Sequence, residues 1–400
     1  MTSNEQNGLE LKWEIGLISA VSLVAGTMIG SGIFMSPQFV MSNVGSPGAS
    51  LIIWAVCGLV TLCAVLTYAE LSTMFRESGD EFIYVLRIHG PLPAFFVAFT
   101  FIIVVDPACI AAVALSFAEY AVAPFYPGCM PPTLVVKCIA VACIFVVAAV
   151  NMMNVRFTMA IQVIFLVAKV VGLMVIVISG IVTMAQNGLG NLRNPDTAFK
   201  GTNLKLSTIG MALYQGLWSF SGWANLTAVL EEVKKPEICG GRICFVAARE
   251  GHMPSILSMA HVKRLTLSPA LIFSTIIAFV VLIPGDFQGI INYFSFTSWI
   301  FYGLAISGLV YVKIEKMNRP CAYKVPIIIP ILVLLASVFL VLAPIVDKPQ
   351  LEYLYVTLFI LSGALIYFPF IHFKLCPDLL DKLTLFLQLF LEVALADKNK

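Results

Sequence analysis

The sequence predicts an all-α membrane protein of about ten spans. Three observations predict it. Only 12% of the 400 residues are charged and 60% are hydrophobic, with a mean hydropathy of +0.96. A soluble domain carries about 25% charged residues, so this chain lacks the charge to cover a water-facing surface. Apolar stretches long enough to cross a ~30 Å hydrocarbon core recur along its length. The basic residues, finally, are divided unevenly among the connecting segments. With the N-terminus in the cytosol and the spans alternating, 18 of the 24 Lys and Arg fall inside. Lys137, Arg193, Lys200, Lys205 and Lys348 fall outside, and Lys169 lies within a span. That bias predicts an even number of spans with both termini cytosolic.

In chain order, the opening "MTSNEQNGLELKWE" is polar and slightly acidic, unlike the basic start of a signal peptide. Residues 1–14 are expected to be a cytosolic tail. Spans are expected at 15–38, 50–75, 93–122, 134–150, 157–185, 207–231, 268–284, 287–312, 326–345 and 351–371. The first contains "GTMIGSGIF", residues 26–34, and each interior glycine there costs a helix roughly 1 kcal/mol relative to alanine. The sixth contains "GLWSFSGWANL", residues 216–226, with Ser219, Ser221 and Gly222 in mid-membrane. A matched pair of interrupted spans in two halves of a chain points to a transporter binding site. A broken helix presents free N–H groups at one half-helix end and free C=O groups at the other. The first end suits a carboxylate, aided by the helix dipole, and the second suits an ammonium. A free amino acid carries both. On spacing alone, Gly26-x-x-x-Gly30 reads equally well as a small-residue packing motif.

The longest stretch between spans, 232–267, is cytosolic by charge. The tail at 373–400 is either an amphipathic helix on the inner leaflet or a short segment without fixed structure. Most of the ten cysteines lie in apolar spans, where they read as small packing residues. No Cys/His spacing suggests a metal, and the histidines and carboxylates form no nucleophile set. Neither an enzyme, a cofactor, a metal nor a nucleic acid partner is expected.

"VAGTMIGSGIFMSP", "LCAVLTYAELSTMF" and "GLWSFSGWANL" with "EEVKKP" after it resemble the amino acid–polyamine–organocation superfamily. "REGHMPSILSMAHVKRLT", "NYFSFTSWIFYGLAISGL" and "KPQLEYLYVTLFILSGALIYF" are similar to the light chains of heteromeric amino acid transporters, in the b(0,+)-like branch. The resemblance runs from about residue 13 to about 392. It implies a LeuT-like inverted-repeat fold in a transporter domain over 15–372, at the plasma membrane. The substrate carboxylate would meet the backbone N–H groups of Ser31, Gly32 and Ile33, with Ile29 and Gly30 in the same unwound stretch. The amine would meet carbonyls of Met28, Trp218 and Ser221, beside Ser219 and Gly222 in the second break. Trp218 and Trp299 offer flat apolar faces suited to large or aromatic side chains.

Four positions refine that resemblance. Members that carry cationic substrates or cystine have an acidic residue where Ser221 stands; an unpaired buried cation is expensive, so neutral substrates are expected. Lys169 stands where sodium-coupled relatives hold an ion, which implies exchange without sodium; the alternative is a lysine snorkelling to the interface. Cys129, in an outside loop, matches the cysteine that bonds a single-span glycoprotein heavy chain; the alternative is an unused surface thiol. Asp106 precedes Pro107 where relatives commonly place a basic or polar residue. It is either a functional intramembrane acid or a hydrated carboxylate at a helix break.

Family members have twelve spans. Here "EEVKKPEI" runs almost directly into "CGGRICFVAAREGHM", so the seventh and most of the eighth span are expected to be missing, with the deletion near 237–242. The expected function is sodium-independent exchange of neutral, large or aromatic L-amino acids. The alternative is a transport-deficient form that only binds the heavy chain or is degraded.

Overall fold

The computed structural model describes residues 25–75, 77, 79–153, 155–188, 190–223, 242–261, 268–315, 323–347, 351–373 and 377–395. The expected tail at 1–14, the start of span one, the end of span six and nearly all of the expected deletion point near 237–242 lie outside the described residues.

Among the described residues, seven helices are long and apolar enough to cross a membrane. They are Pro47–Met74, Pro91–Phe125, Thr133–Met152, Ile161–Gln186, Phe287–Ile314, Ile328–Val346 and Tyr353–His372. Each falls on an expected span. Of the other three, the apolar helix α10 (Ser268–Leu282) has 15 residues and is short for a crossing. The remaining two are the glycine-interrupted spans, each described on one side of its break only or little more.

The chain enters through a helical turn at 25–28 and a bend at 29–31 before α1 (Gly32–Val44). Gly45, at φ 77, closes α1 by donating its N–H to Met41 O. α2 (Pro47–Met74) starts with a proline, whose missing N–H costs nothing in the first turn. α3 (Asp80–His89) is a short helix between spans, too polar to be seen by hydropathy. α4 (Pro91–Thr100) and α5 (Asp106–Val122) form one span joined by a π-helical turn, Phe101–Val105. Pro107 has no N–H to offer the carbonyl one turn back, so the ladder slips just before it. α6 (Thr133–Met153) and α7 (Val155–Asn187) follow, then α8 (Leu206–Ser219) and α9 (Arg242–Arg249). Strand β1 (Met259–His261) precedes α10; α11 (Phe287–Ile314), α12 (Ile328–Asp347) and α13 (Leu351–Ile366) complete the bundle.

Two apolar clusters share α8. One gathers Tyr68, Phe82, Ile102, Tyr214 and Phe296; the other gathers Met35, Leu115, Trp218, Leu282 and Ile291. A buried ion pair locks one end of the first: Lys313 Nζ lies 2.7 Å from Glu70 Oε2. The same oxygen accepts the Val325 N–H at 3.1 Å, and Lys313 also donates to Val325 O at 2.6 Å. The charges are thus paired and hydrogen-bonded, as burial requires. α7 is the exception to close packing. No residue of its apolar window Ile161–Gln186 is buried, and its principal neighbour is α6.

The tail carries a helix, α14 (Pro377–Phe390), with Phe386 and Leu389 exposed and Leu387 packed on the core. It ends in β2 (Val393–Leu395), which pairs antiparallel with β1 in the register Met259↔Leu395 and His261↔Val393. Three-residue strands carry too little pattern to be read from sequence.

Candidate functional site

The two interrupted spans meet at their breaks. A Cβ added to Gly32 would lie 2.5 Å from Ser219 Cα, 2.9 Å from Ser219 N and 3.0 Å from Trp218 Cδ1. Only a glycine permits that approach of two backbones. On the other side of the break, Gly222 sits at φ +95 against Thr27, whose Cβ and Oγ1 would be 3.0 Å from an added Cβ. Gly216, a turn and a half earlier, rests on Cys57. The glycines thus serve close approach and left-handed backbone together.

The backbone opens where they stand. Ile29 still donates to Ala25 O at 2.9 Å, and Met35 donates to Ser31 O at 3.0 Å. Between them, the N–H groups of Gly30, Ser31, Gly32 and Ile33 have no acceptor among the described residues. They belong to the N-terminus of α1, the positive end of its dipole. Two side-chain groups beside them, Ser31 Oγ and Trp218 Nε1, are buried and also unpartnered among the described residues. In the second break, Ser221 N–H and Ser221 Oγ both donate to Trp218 O, at 3.0 and 2.7 Å. Ser219 Oγ reaches Gln215 O at 3.5 Å. Unmatched donors therefore collect on span one, and on span six the Trp218 carbonyl at the break is engaged by Ser221.

The structure brings Ser31, Gly32, Ile33, Trp218 and Ser219 together, with Met28 to Gly30 and Ser221 to Gly222 at the two edges. Trp299 stands one layer away. It is buried edge-on to Tyr302, 5.6 Å between centroids, and Tyr302 in turn packs on Trp223 at 5.3 Å and Tyr68 at 6.0 Å. The ring that does touch Trp218 is Phe294, at 5.0 Å and nearly perpendicular. Sequence reading missed Phe294, Tyr68 and Tyr302.

Lys169, half-buried on α7, donates Nζ to Gly26 O at 2.9 Å. Cys129 is exposed and unpaired in the turn after α5, flanked by the exposed Phe125 and Met130. Asp106 lies at the π turn, partly exposed. A cavity of about 270 Å³ lies elsewhere, lined by Met211, Asp286, Asn292, Tyr293 and Tyr353 among others, and holds none of the expected site residues. Among the described residues, no cluster of His, Cys, Asp or Glu could hold a metal.

The sequence profile of the amino acid permease family matches residues 15–239. The b(0,+)-type amino acid transporter 1 of Homo sapiens is 39% identical over a 465-residue alignment covering 98% of this chain and 95% of the relative. The human cystine/glutamate transporter is 32% identical, over 97% of this chain and 92% of its own length. The large neutral amino acids transporter small subunit 2 of Mus musculus is 29% identical, over 96% and 87%. The first alignment is longer than the 400 residues of this chain, so the relative carries internal positions that this chain lacks. The chain belongs to the amino acid permease family, in the b(0,+)-like branch of the heteromeric-transporter light chains, and is an amino acid transport protein rather than an enzyme.

Proposed function

We propose that the chain binds neutral, large or aromatic L-amino acids between its two broken spans and exchanges them without sodium. The observation that carries this reading is the opposition of the breaks at Gly32 and Ser219, with four N–H groups on one side that have no acceptor among the described residues. The N–H groups of Ser31, Gly32 and Ile33 take the carboxylate. Carbonyls of Met28, Trp218 and Ser221 take the ammonium. Trp218 and Phe294 give the side chain an apolar wall, with Trp299 behind it. The architecture is LeuT-like, with ten of twelve spans, both termini cytosolic, and α14 lying on the inner leaflet of the plasma membrane. Lys169 supplies a fixed cation where an ion would otherwise tie α7 to the break; its bond to Gly26 O supports that role.

Charge selectivity follows from Ser221. Its hydroxyl is spent on Trp218 O, so the site offers a substrate cation no counter-charge. Expected is preference for tryptophan or leucine over arginine. In a version with the missing spans restored, Ser221→Asp should raise arginine competition about tenfold or more, a gain of ~1.4 kcal/mol. Equal competition by arginine before the substitution would contradict the role given to Ser221.

The partner is a single-span glycoprotein heavy chain bonded through Cys129. The exposed thiol, with Phe125 and Met130 beside it, supports this pairing. Co-expression with a heavy chain should give a high-mass species on non-reducing gels that collapses under reductant. Cys129→Ser should abolish it, and a species that survives the substitution would remove Cys129 from the link.

A second reading has its own support. The bare α7 and the missing internal positions fit a subunit that pairs with the heavy chain but turns over slowly or not at all.

A further inference from the structure

The last turns of α8 before the second break carry an amide in a dry place. Gln215 is fully buried, and its neighbours along α8, Leu213, Tyr214, Leu217 and Trp218, are buried too. Its Nε2 donates to Asn292 Oδ1 of α11 at 3.2 Å, and Asn292 is itself only 8% exposed. Tyr214, the residue before, donates Oη to Leu340 O of α12 at 2.5 Å. Two polar bonds therefore hold the segment that leads into the break, one to each of two neighbouring helices.

The two bonds differ in what they leave over. Each side-chain amide carries donors and an acceptor, so two amides that meet can make two bonds. Here one is made, at the long end of the N–H···O range. Gln215 Oε1 is buried without a partner among the described residues, and Asn292 Nδ2 has no acceptor there either. Exchanging the N and O assignment of both amides changes nothing, because the pair still leaves one acceptor and one donor unused. A buried amide oxygen left bare is expensive. The group that would satisfy it stands on the residue to which Gln215 is already bonded.

There is room for that second bond to form. Asn292 lines the cavity of about 270 Å³, together with Met211 of α8, Gln288 and Tyr293 of α11 and Tyr353 of α13. α8 and α11 are thus joined on one side of Asn292 and apart on the other. The same two helices carry the apolar wall of the proposed substrate site. Trp218 follows Gln215 by three residues, Phe294 follows Asn292 by two, and the two rings meet at 5.0 Å. A substrate side chain laid on both rings bridges α8 and α11. We infer that Gln215 and Asn292 are positioning residues that latch the bound amino acid: binding draws α11 onto α8, the amide pair completes its second hydrogen bond, and the cavity narrows. The inference rests on the substrate site proposed between the breaks, and neither amide is given a contact with the ligand.

Dissociation of labelled tryptophan from the purified full chain, read beside the melting temperature, separates a latch from a static contact. Asn292→Leu removes the bond and strands the Gln215 amide, so melting should fall and tryptophan should leave about three- to tenfold faster, the worth of one hydrogen bond. Gln215→Met combined with Asn292→Leu replaces both amides by apolar groups of similar shape. Melting should then return to the wild-type value, since no polar group is left stranded, while dissociation stays fast. Recovery of slow dissociation together with melting overturns the latch. Met211→Cys leaves the pair intact and puts a thiol in the cavity wall. Saturating tryptophan should slow modification at residue 211 about threefold or more, and a thiol that never reacts, or reacts equally with and without tryptophan, also overturns it. This second variant decides alone should the apolar pair fail to accumulate. Failure of the substrate site itself looks different: tryptophan amide would then displace labelled tryptophan as well as tryptophan does, whatever these variants show.

Discussion

Gly32→Ala is expected to weaken amino acid binding at the broken spans by about one to two orders of magnitude at most. The added methyl would lie 2.5 Å from Ser219 Cα and 2.9 Å from Ser219 N. Those are backbone atoms, not the far end of a flexible side chain, so one half-helix must move. Overpacking of this kind costs ~1–3 kcal/mol, and here the displaced groups are the ones that hold the ligand. A fall in affinity of about 5–150-fold is expected, converted from that cost. Gly180→Ala in α7 is the control, since nothing lies within 4 Å of its added Cβ. Equilibrium binding of a labelled neutral amino acid to both variants checks the difference. Wild-type affinity in Gly32→Ala would show that the breaks do not need to touch.

Inserting the internal segment that the human b(0,+)-type relative carries and this chain lacks is expected to raise both melting temperature and exchange rate. The apolar window Ile161–Gln186 has no buried residue, and among the described residues its ties are a small contact with α6 and the Lys169–Gly26 bond. Packing between spans, not hydrophobicity, holds membrane helices together once they are inserted. A cation in mid-membrane with one carbonyl partner among the described residues is costly as well. Native stability is only ~5–15 kcal/mol, so losing several contacts at this seam matters. A chimera carrying the additional segment of the human b(0,+)-type relative, reconstituted with a heavy chain, supplies the comparison. Expected are a clearly higher melting temperature and at least tenfold faster exchange. Equal stability and turnover would mean that the chain closes around its site unaided.

What was legible in the sequence is what leaves a mark on residue type. Seven spans were visible because lipid demands long apolar runs. The two breaks were visible because Gly32 and Gly222 are expensive in a helix and so stand out. The slip before Pro107 was foreshadowed by the proline itself. What stayed hidden depends on neighbours distant in sequence. α3 escaped because its polar residues give no hydropathy signal, although it buries Glu81, Phe82 and Tyr84. Trp299 could be singled out as an aromatic, but only the fold shows that Tyr302 stands between it and Trp223, and that Phe294 meets Trp218. The bareness of α7 was equally hidden, since an apolar helix reads alike whether it faces lipid or protein.

The most direct measurement is equilibrium binding of labelled tryptophan to the purified chain, in sodium-free buffer, with two competitors. Tryptophan amide lacks the carboxylate that the N–H groups of Ser31, Gly32 and Ile33 are proposed to hold. Indole-3-propionate lacks the ammonium assigned to the carbonyls of Met28, Trp218 and Ser221. Saturable binding that unlabelled tryptophan displaces, and that each analogue displaces at least 100-fold less well, is the expected result. Displacement by tryptophan amide as effective as by tryptophan itself would contradict the broken-span site.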